Sequence, residues 1–334
     1  MNDRKYIILV PIFLLLIGAI IFVCGKGVTR GQQNNNEKKK LSYTYPIFYK
    51  GFYLNSGSGG SMVKLKRHIE RAKQAGLNTV VIDVQTPGMK SAVTPKEHVE
   101  YCLKMGFHPI ARVVVFPEGL KEYPAPKELL ENRLAVAEAA CAAGFREIQF
   151  DYIRFNDHGV IGRVSLSQKY DYISGFLSTA RARLSKYGVK IAADIFGRIP
   201  LNTDDNIGQK MEVFDRVVDV ICPMAYPSHY TWSKKMMSDP YYTVHITSKR
   251  AKERASKSEI VPWIQAFRMK VKRSGLTYEK YIEAQIQAVH DAGVRGYLLW
   301  NASQDYDVPL AVCEDFYKRY KTIAHEASTV NKEK

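Results

Sequence analysis

Short apolar runs alternate with longer amphipathic stretches along most of this chain. Eight of the runs are rich in β-branched and aromatic residues, which is typical of parallel strands covered by helices on their outer face. They are residues 51–55, 79–85, 108–116, 147–155, 190–196, 217–226, 260–267 and 296–302. The stretches between them have the period of amphipathic helices, so the sequence predicts repeated strand–helix units.

A glycine stands shortly before five of the predicted strands. Glycine often ends a helix because it adopts the left-handed conformation without a steric penalty from Cβ. These glycines are Gly76, Gly106, Gly144, Gly188 and Gly293. Eight units within about 270 residues favour a closed barrel over an open doubly wound sheet. The predicted fold is therefore α/β, a (β/α)8 TIM barrel over residues 50–322. The GSGGS run at 57–61 lacks the third glycine of a dinucleotide-binding motif, and we interpret it as a loop.

The most apolar run of the chain lies near the N-terminus. Residues 6–24 carry no charge, and as a helix they would extend about 28 Å, close to the hydrocarbon thickness of a bilayer. We predict a transmembrane anchor at 1–24, a polar tether at 25–49 and a polar C-terminal tail at 323–334. Basic residues flank the apolar run on both sides, so the positive-inside rule does not favour an external barrel. Because N-terminal anchors of this form commonly export the domain attached to them, we predict a single-pass cell-membrane protein with an extracytoplasmic barrel.

Charge, cysteines and histidines narrow the chemistry. The net charge of +16 is consistent either with a surface tuned for solubility or with anionic partners. No basic run is interleaved with aromatic residues, so we predict no nucleic-acid partner. The five cysteines form no CxxC pair, and the eight histidines have no HxxH or HExxH spacing. We therefore expect buried free thiols, no metal site and no cofactor.

Carboxylates lie near the ends of two neighbouring predicted strands. Asp151 belongs to the fourth strand and Asp194 to the fifth, and active sites of this fold lie at the C-terminal strand ends. Because adjacent strands are about 4.8 Å apart, the two carboxylates can approach to the roughly 5 to 10 Å that glycosidases use. Close carboxylates also differ in pKa, so one can act as acid and the other as base or nucleophile. Structural ion pairs with Arg112 or Arg154 are the alternative.

Other polar and aromatic residues near the strand ends are candidates for substrate binding. Polar groups can hydrogen-bond sugar hydroxyls or an acidic substituent, and flat aromatic faces can stack on pyranose rings. The candidates are Asp83, Arg112, Arg154, Tyr226, His229, Gln265, Trp300 and Asn301. For the arginines the alternative is a structural salt bridge. For the aromatic residues, Trp263 among them, the alternative is filling of the core.

Five segments at or after the predicted strands resemble one known family. They read QFDYIRF, ADIFG, CPMAYPSHY, WIQAF and GYLLWNA, and together they resemble the DUF4015 group, a bacterial family of glycoside-hydrolase type with unassigned function. The resemblance covers about residues 50–310 and implies a barrel related to the glycosidases. It supplies no catalytic residues, so the roles of Asp151 and Asp194 rest on strand position and chemistry. Asn156 stands where relatives often have proline, which affects the shape of that loop.

These features predict a membrane-tethered glycoside hydrolase that acts on a cell-envelope or extracellular polysaccharide. Asp151 would be the nucleophile or base and Asp194 the general acid. The expected partners are a polysaccharide or oligosaccharide substrate and the membrane, through residues 6–24. Two alternatives are a non-catalytic glycan-binding barrel and a structural envelope protein that binds anionic polymers. The sugar, the linkage, retention or inversion, and the oligomeric state stay open.

Overall fold

The computed structural model describes residues 43–157 and 160–330. The chain divides into two units, Met1–Tyr43 and Thr44–Lys334, and all the elements below belong to the second. Within the described ranges, no helix has both the length and the apolar character needed to cross a membrane. The predicted anchor at 6–24 and most of the predicted tether at 25–49 lie outside these ranges.

A closed barrel of parallel strands forms the centre of the second unit. The strands are β1 (Tyr49–Leu54), β2 (Thr79–Asp83), β3 (His108–Val114), β4 (Glu147–Asp151), β5 (Lys190–Phe196), β6 (Val220–Met224), β7 (Glu259–Ile260), β8 (Trp263–Gln265) and β9 (Gly296–Trp300). Strand β1 pairs with both β2 and β9, and β5 pairs with β6, which closes the sheet. Strands β7 and β8 share the seventh position, where Pro262 lacks an N–H donor and lies in the break between them. The predicted eight-stranded parallel barrel is confirmed.

Helices follow the strands and cover the outside of the barrel. They are α1 (Ser56–Gly59), α2 (Met62–Gln74), α3 (Lys96–Lys104), α4 (Lys127–Ala143), α5 (Leu166–Leu184), α6 (Met211–Asp215), α7 (Lys234–Ser238), α8 (Pro240–Arg254), α9 (Tyr278–Ala292) and α10 (Asp307–Val330). The prediction of a loop at 57–61 is wrong in part, since α1 occupies its first residues. The Asn55 side chain caps α1 by accepting a hydrogen bond from Ser58 N at 2.9 Å.

The five glycines predicted to end helices all have left-handed backbone conformations. Their φ angles are 78° at Gly76, 86° at Gly106, 106° at Gly144, 64° at Gly188 and 61° at Gly293. Each lies between a helix and the next strand, so this prediction is confirmed.

Two hydrophobic layers hold the barrel together. The larger lies between the strands and the helices, and the smaller fills the barrel interior with side chains that include Tyr49, Val81, Ile110 and Leu298. The predicted free thiols are confirmed within the described ranges: Cys102, Cys141, Cys222 and Cys313 are unpaired and buried.

Strand β4 ends earlier than the sequence predicts. The prediction extended it to residue 155, but it ends at Asp151 because Tyr152 has a φ of 52°. A positive φ is incompatible with an extended strand. This turn places Asp151 at the rim of the barrel, above the apolar interior.

Candidate active site

Arg112 lies at the centre of a group of carboxyl groups at the C-terminal end of the barrel. Its Nη1 is 2.6 Å from Asp83 Oδ1, and its Nε and Nη2 are 3.0 and 2.5 Å from Asp151 Oδ2. The third carboxyl group belongs to Asp194, whose Oδ2 is 4.0 Å from Arg112 Nε. Parallel register brings the ends of β2, β3, β4 and β5 together here. The strands therefore assemble one guanidinium and three carboxyl groups.

Asp194 is the most deeply buried of the three, with 1% of its surface exposed. Trp263 Nε1 donates a hydrogen bond to Asp194 Oδ1 at 2.8 Å, whereas Oδ2 has no hydrogen-bond partner among the described residues. Burial, followed by the negative charge of Asp151, raises the pKa of Asp194 well above its ordinary value, although Arg112 opposes the shift. Asp194 therefore holds a proton more readily than an ordinary aspartate and is suited to act as a general acid.

Asp151 has different surroundings. Besides the two donors of Arg112, its Oδ1 accepts a hydrogen bond from the backbone N–H of Tyr152 at 2.5 Å. These three N–H groups fix the orientation of the carboxylate. Asp194 is thus buried with one oxygen lacking a partner among the described residues, whereas Asp151 is held by three N–H donors. Such unequal surroundings are expected of a general acid and of a nucleophile or base, respectively.

The separation of the two carboxyl groups is bounded by their shared neighbour. Since Asp151 Oδ2 and Asp194 Oδ2 lie 3.0 and 4.0 Å from Arg112 Nε, the two oxygens are at most about 7 Å apart. Retaining glycosidases separate their carboxyl groups by about 5 to 5.5 Å, and inverting ones by about 6.5 Å or more. This bound allows the retaining separation and the shortest inverting one.

A cavity of about 340 Å³ opens beside these carboxyl groups, a size typical of small-molecule sites. Seven of the ten residues predicted for the site line it, together with eight others. The lining consists of Arg112, Asp151, Tyr152, Arg154, Asp194, Phe196, Gly197, Arg198, Met224, Tyr226, His229, Tyr230, Trp232, Trp263 and Trp300.

Comparison with known proteins shows the family to which this domain belongs. Residues 122–306 match the DUF4015 family model, which is described as a putative glycosyl hydrolase domain. The chain belongs to the DUF4015 family. That match includes Asp151, Asp194 and most of the cavity lining. Among curated proteins, none is significantly similar to the chain.

Several solved structures share the barrel of this DUF4015 domain. The glycoside hydrolase domain of PgaB (BpsB) from Bordetella bronchiseptica is 12% identical, with a TM-score of 0.60 over 81% of this chain and 99% of that one. The endo-1,4-beta-mannanase from Rhizomucor miehei is 8% identical, with a TM-score of 0.60 over 83% and 96%. The spore cortex-lytic enzyme SleL from Bacillus megaterium QM B1551 is 12% identical, with a TM-score of 0.56 over 82% and 75%. At these identities the likeness shows the fold.

Aromatic rings form much of the cavity wall in the DUF4015 domain. Trp300 packs against Tyr53 with ring centroids 4.3 Å apart and meets Trp263 edge-on at 5.4 Å. Tyr226 is buried and lies 5.5 Å from His229 between ring centroids. Burial, helped by the charge of Lys270, lowers the pKa of His229, so this ring is neutral at pH 7. The cavity therefore combines flat apolar faces with a few polar groups, as sugar sites require.

Asp83 faces a neighbouring cavity. It accepts a hydrogen bond from the Tyr53 hydroxyl at 2.5 Å and pairs with Arg112. The second cavity has a volume of about 570 Å³ and shares Arg112 with the first. Asp83 therefore holds Arg112 from the side opposite to Asp151.

Gln265 and Asn301 do not line the cavity beside Asp151 and Asp194. Gln265 Nε2 donates to the carbonyl oxygens of Phe267 and Met269, and its Oε1 accepts from Ser228 N at 3.1 Å. Asn301 Nδ2 donates to the carbonyl oxygens of two loop residues, at 2.6 and 2.8 Å. Both side chains use their hydrogen-bonding atoms to hold loops, although their positions near strand ends predicted contact with the substrate.

Sequence reasoning missed several lining residues that follow the strands. Phe196 and Arg198 lie at and after the end of β5, and Trp232 lies in the loop after β6 with 61% of its surface exposed. Gly197 is required here because a Cβ would lie 2.1 Å from the Tyr230 hydroxyl. Phe196 is the last residue of the predicted fifth strand, and a search three residues beyond that strand would have found Arg198, whereas Trp232 lies too far along its loop for that rule.

Proposed function

We propose that the chain is a membrane-tethered glycoside hydrolase that cleaves glycosidic bonds in a cell-envelope or extracellular polysaccharide. The observation that carries the proposal is the unequal pair at the cavity wall. Asp194 is buried and has a raised pKa, and Asp151 is held by three N–H donors. The family description and the fold it shares with a mannanase and a cortex-lytic enzyme support action on a glycan.

Each residue of the pair has a role in the proposed mechanism. Asp194 gives its proton to the glycosidic oxygen as the bond from that oxygen to the anomeric carbon breaks. Asp151 then either bonds to the anomeric carbon or removes a proton from the attacking water. In the first case water releases the sugar and the proton returns to Asp194. Arg112 orients Asp151, and the aromatic walls hold the sugar ring.

The test is hydrolysis of polysaccharides, followed by release of reducing ends. Asp194→Asn and Asp151→Asn are each expected to lower kcat by about 100- to 10,000-fold, the usual contribution of a general acid or base. Gln287→Ala, on the exposed side of α9, is the control and should retain activity. Full activity in both aspartate variants would refute the assignment. Oligosaccharide binding without released reducing ends would point to a non-catalytic glycan-binding barrel.

A further inference from the structure

Two arginines other than Arg112 lie at one edge of the cavity beside Asp151 and Asp194. Arg154 follows β4 and Arg198 follows β5, and both line the cavity. The guanidinium carbons of both lie 4.8 Å from the centroid of the Phe196 ring. Both cations therefore pack against the Phe196 ring at the wall.

Arg154 retains hydrogen-bonding capacity on this edge. Its Nη1 donates to the Phe155 carbonyl at 2.9 Å and to Asp157 at 3.1 Å. Its Nε has no hydrogen-bond partner within the described ranges, although only 9% of the side chain is exposed. A buried donor without a partner is costly, so a ligand oxygen that reached this Nε would be bound favourably.

The carboxylates that balance these arginines do not line the cavity. Asp205 binds Arg198 through two hydrogen bonds, at 2.7 and 3.0 Å. Asp157 contacts Arg154 at 3.1 Å and Arg198 at 3.5 Å, and 42% of its side chain is exposed. An exposed carboxylate held by single contacts contributes little stability, so a ligand can compete with it.

The carboxyl groups that do line the cavity lie at Arg112 and not at these two arginines. Asp151 is paired with Arg112, and Asp194 lies 4.0 Å from the same guanidinium. Neither neutralises Arg154 or Arg198. The wall around Phe196 therefore presents two guanidinium groups to whatever sugar occupies the cavity, while their partner carboxylates lie outside the lining.

We propose that Arg154 and Arg198 form a subsite for an acidic substituent of the substrate, a carboxylate or a phosphate group. Guanidinium groups bind both through paired N–H···O bonds. The inference rests on the proposed function, because the same cavity must hold the sugar at Asp151 and Asp194. It narrows the substrate class to acidic polysaccharides, with the charged group on the sugar beside Phe196.

The test compares polymers that differ only in charge. One pair is a polyuronate and the same polymer after its carboxyl groups are reduced to alcohols. The other pair is a phosphate-bearing glycan before and after removal of its phosphates. Binding and hydrolysis are measured with the full-length protein, and binding is also measured with Asp194→Asn, which is expected to slow turnover.

Arg154→Gln and Arg198→Gln should weaken binding of the acidic polymer about tenfold or more, because a charge-assisted hydrogen bond is lost. Binding of its neutral counterpart should change less than about twofold. Asp157→Asn removes the competing carboxylate and should strengthen binding of the acidic polymer. Arg250→Gln, an exposed arginine on α8, is the matched control and should change neither. Thermal unfolding of each variant verifies that it is folded.

Loss of binding on carboxyl reduction would identify a carboxylate, and loss on removal of phosphate would identify a phosphate. Equal binding of charged and neutral polymers would overturn the subsite, as would equal losses on both in the arginine variants or no binding to any of the four polymers. If charged and neutral polymers bind equally and the neutral polymers are hydrolysed, the proposed function would stand without the subsite. Charge-selective binding without hydrolysis would refute the proposed function and leave the subsite supported.

Discussion

Arg112 contacts the three carboxyl groups around it unequally. Two carboxylates, Asp83 and Asp151, form short ion pairs with its guanidinium, while Asp194 lies farther away at 4.0 Å. One buried cation cannot neutralise three carboxylates, and a buried charge without a partner is strongly unfavourable. Asp194 is the most buried of the three and the farthest from the arginine, so burial and the charge of Asp151 raise its pKa more than Arg112 lowers it. Asp151 and Asp194 thus differ in how closely they pair with the same guanidinium.

The raised pKa of Asp194 predicts how stability depends on pH. The folded protein holds this proton over a pH range in which the unfolded chain, with an ordinary carboxyl pKa, has lost it. Wild-type stability therefore falls as pH rises from about 4 toward the pKa of the folded state. Asp194→Asn removes the titrating group, and its amide oxygen can still accept from Trp263 Nε1.

We therefore expect the difference in unfolding free energy between Asp194→Asn and wild type to shift in favour of the variant as pH rises. Urea unfolding at several pH values between 4 and 9 measures it. Asp204→Asn, an exposed carboxylate, is the comparison and should not show this trend. A difference that stays constant over the whole range would contradict the protonated state of Asp194.

Trp263 allows the role of Asp194 in catalysis to be tested through pH alone. Its indole N–H donates to Asp194 Oδ1 and, by favouring the ionised form, lowers the pKa of that carboxyl group. Trp263→Phe removes the donor, so the pKa should rise further. If Asp194 must be protonated to act, the alkaline limb of kcat should move to higher pH. Trp300→Phe alters the same wall without this hydrogen bond and should leave the limb in place; a limb that stays fixed in both variants would argue against Asp194 as the acid.

At the scale of the elements, glycines that end helices and glycines inside helices should respond oppositely to substitution by alanine. Gly144 ends α4 with a φ of 106°, and an added Cβ would still have room, its nearest atom being 3.6 Å away. The cost of Gly144→Ala is therefore backbone strain, and we expect a loss of about 1 kcal/mol of unfolding free energy. Gly175→Ala, inside α5 where a Cβ would meet no atom within 4 Å, should instead gain about 0.5 to 1 kcal/mol. Chemical denaturation of both variants measures the pair, and changes of the same sign would contradict this account.

The elements also show which parts of the fold and of the site the sequence could predict. Strand positions were predictable because strands buried on both faces are apolar throughout, and helix ends because glycine marks them. The end of β4 was not, since residues 152–155 read YIRF, a good strand sequence, and nothing in Tyr152 itself announces a φ of 52°. Asp151 and Asp194 could be found from strand position. Gln265 and Asn301 satisfy the same rule, but loops distant in sequence occupy their hydrogen-bonding atoms.

On the scale of the whole molecule, the proposed membrane anchor raises the question of the side on which the barrel lies. That side determines which polymers are accessible to it. The apolar run at residues 6–24 is followed by a polar segment and then by the barrel, whose sheet begins at Tyr49. A cell-envelope or extracellular polysaccharide is accessible only from outside the membrane. The proposed substrate therefore requires the barrel to be exported, a condition that the flanking basic residues do not fix.

We expect external protease to digest the barrel in intact cells or protoplasts that express the full-length protein. The protein should also remain with the membrane fraction after high salt, because about 19 apolar residues can span the hydrocarbon core. A chain lacking residues 1–40 should be released from membranes and keep the unfolding midpoint of the barrel, since the barrel is a compact unit that begins at Thr44. A cytosolic marker protein that stays intact shows that the membrane is sealed. A barrel left uncut beside an equally intact marker would place it inside the cell and exclude an extracytoplasmic polysaccharide as its substrate.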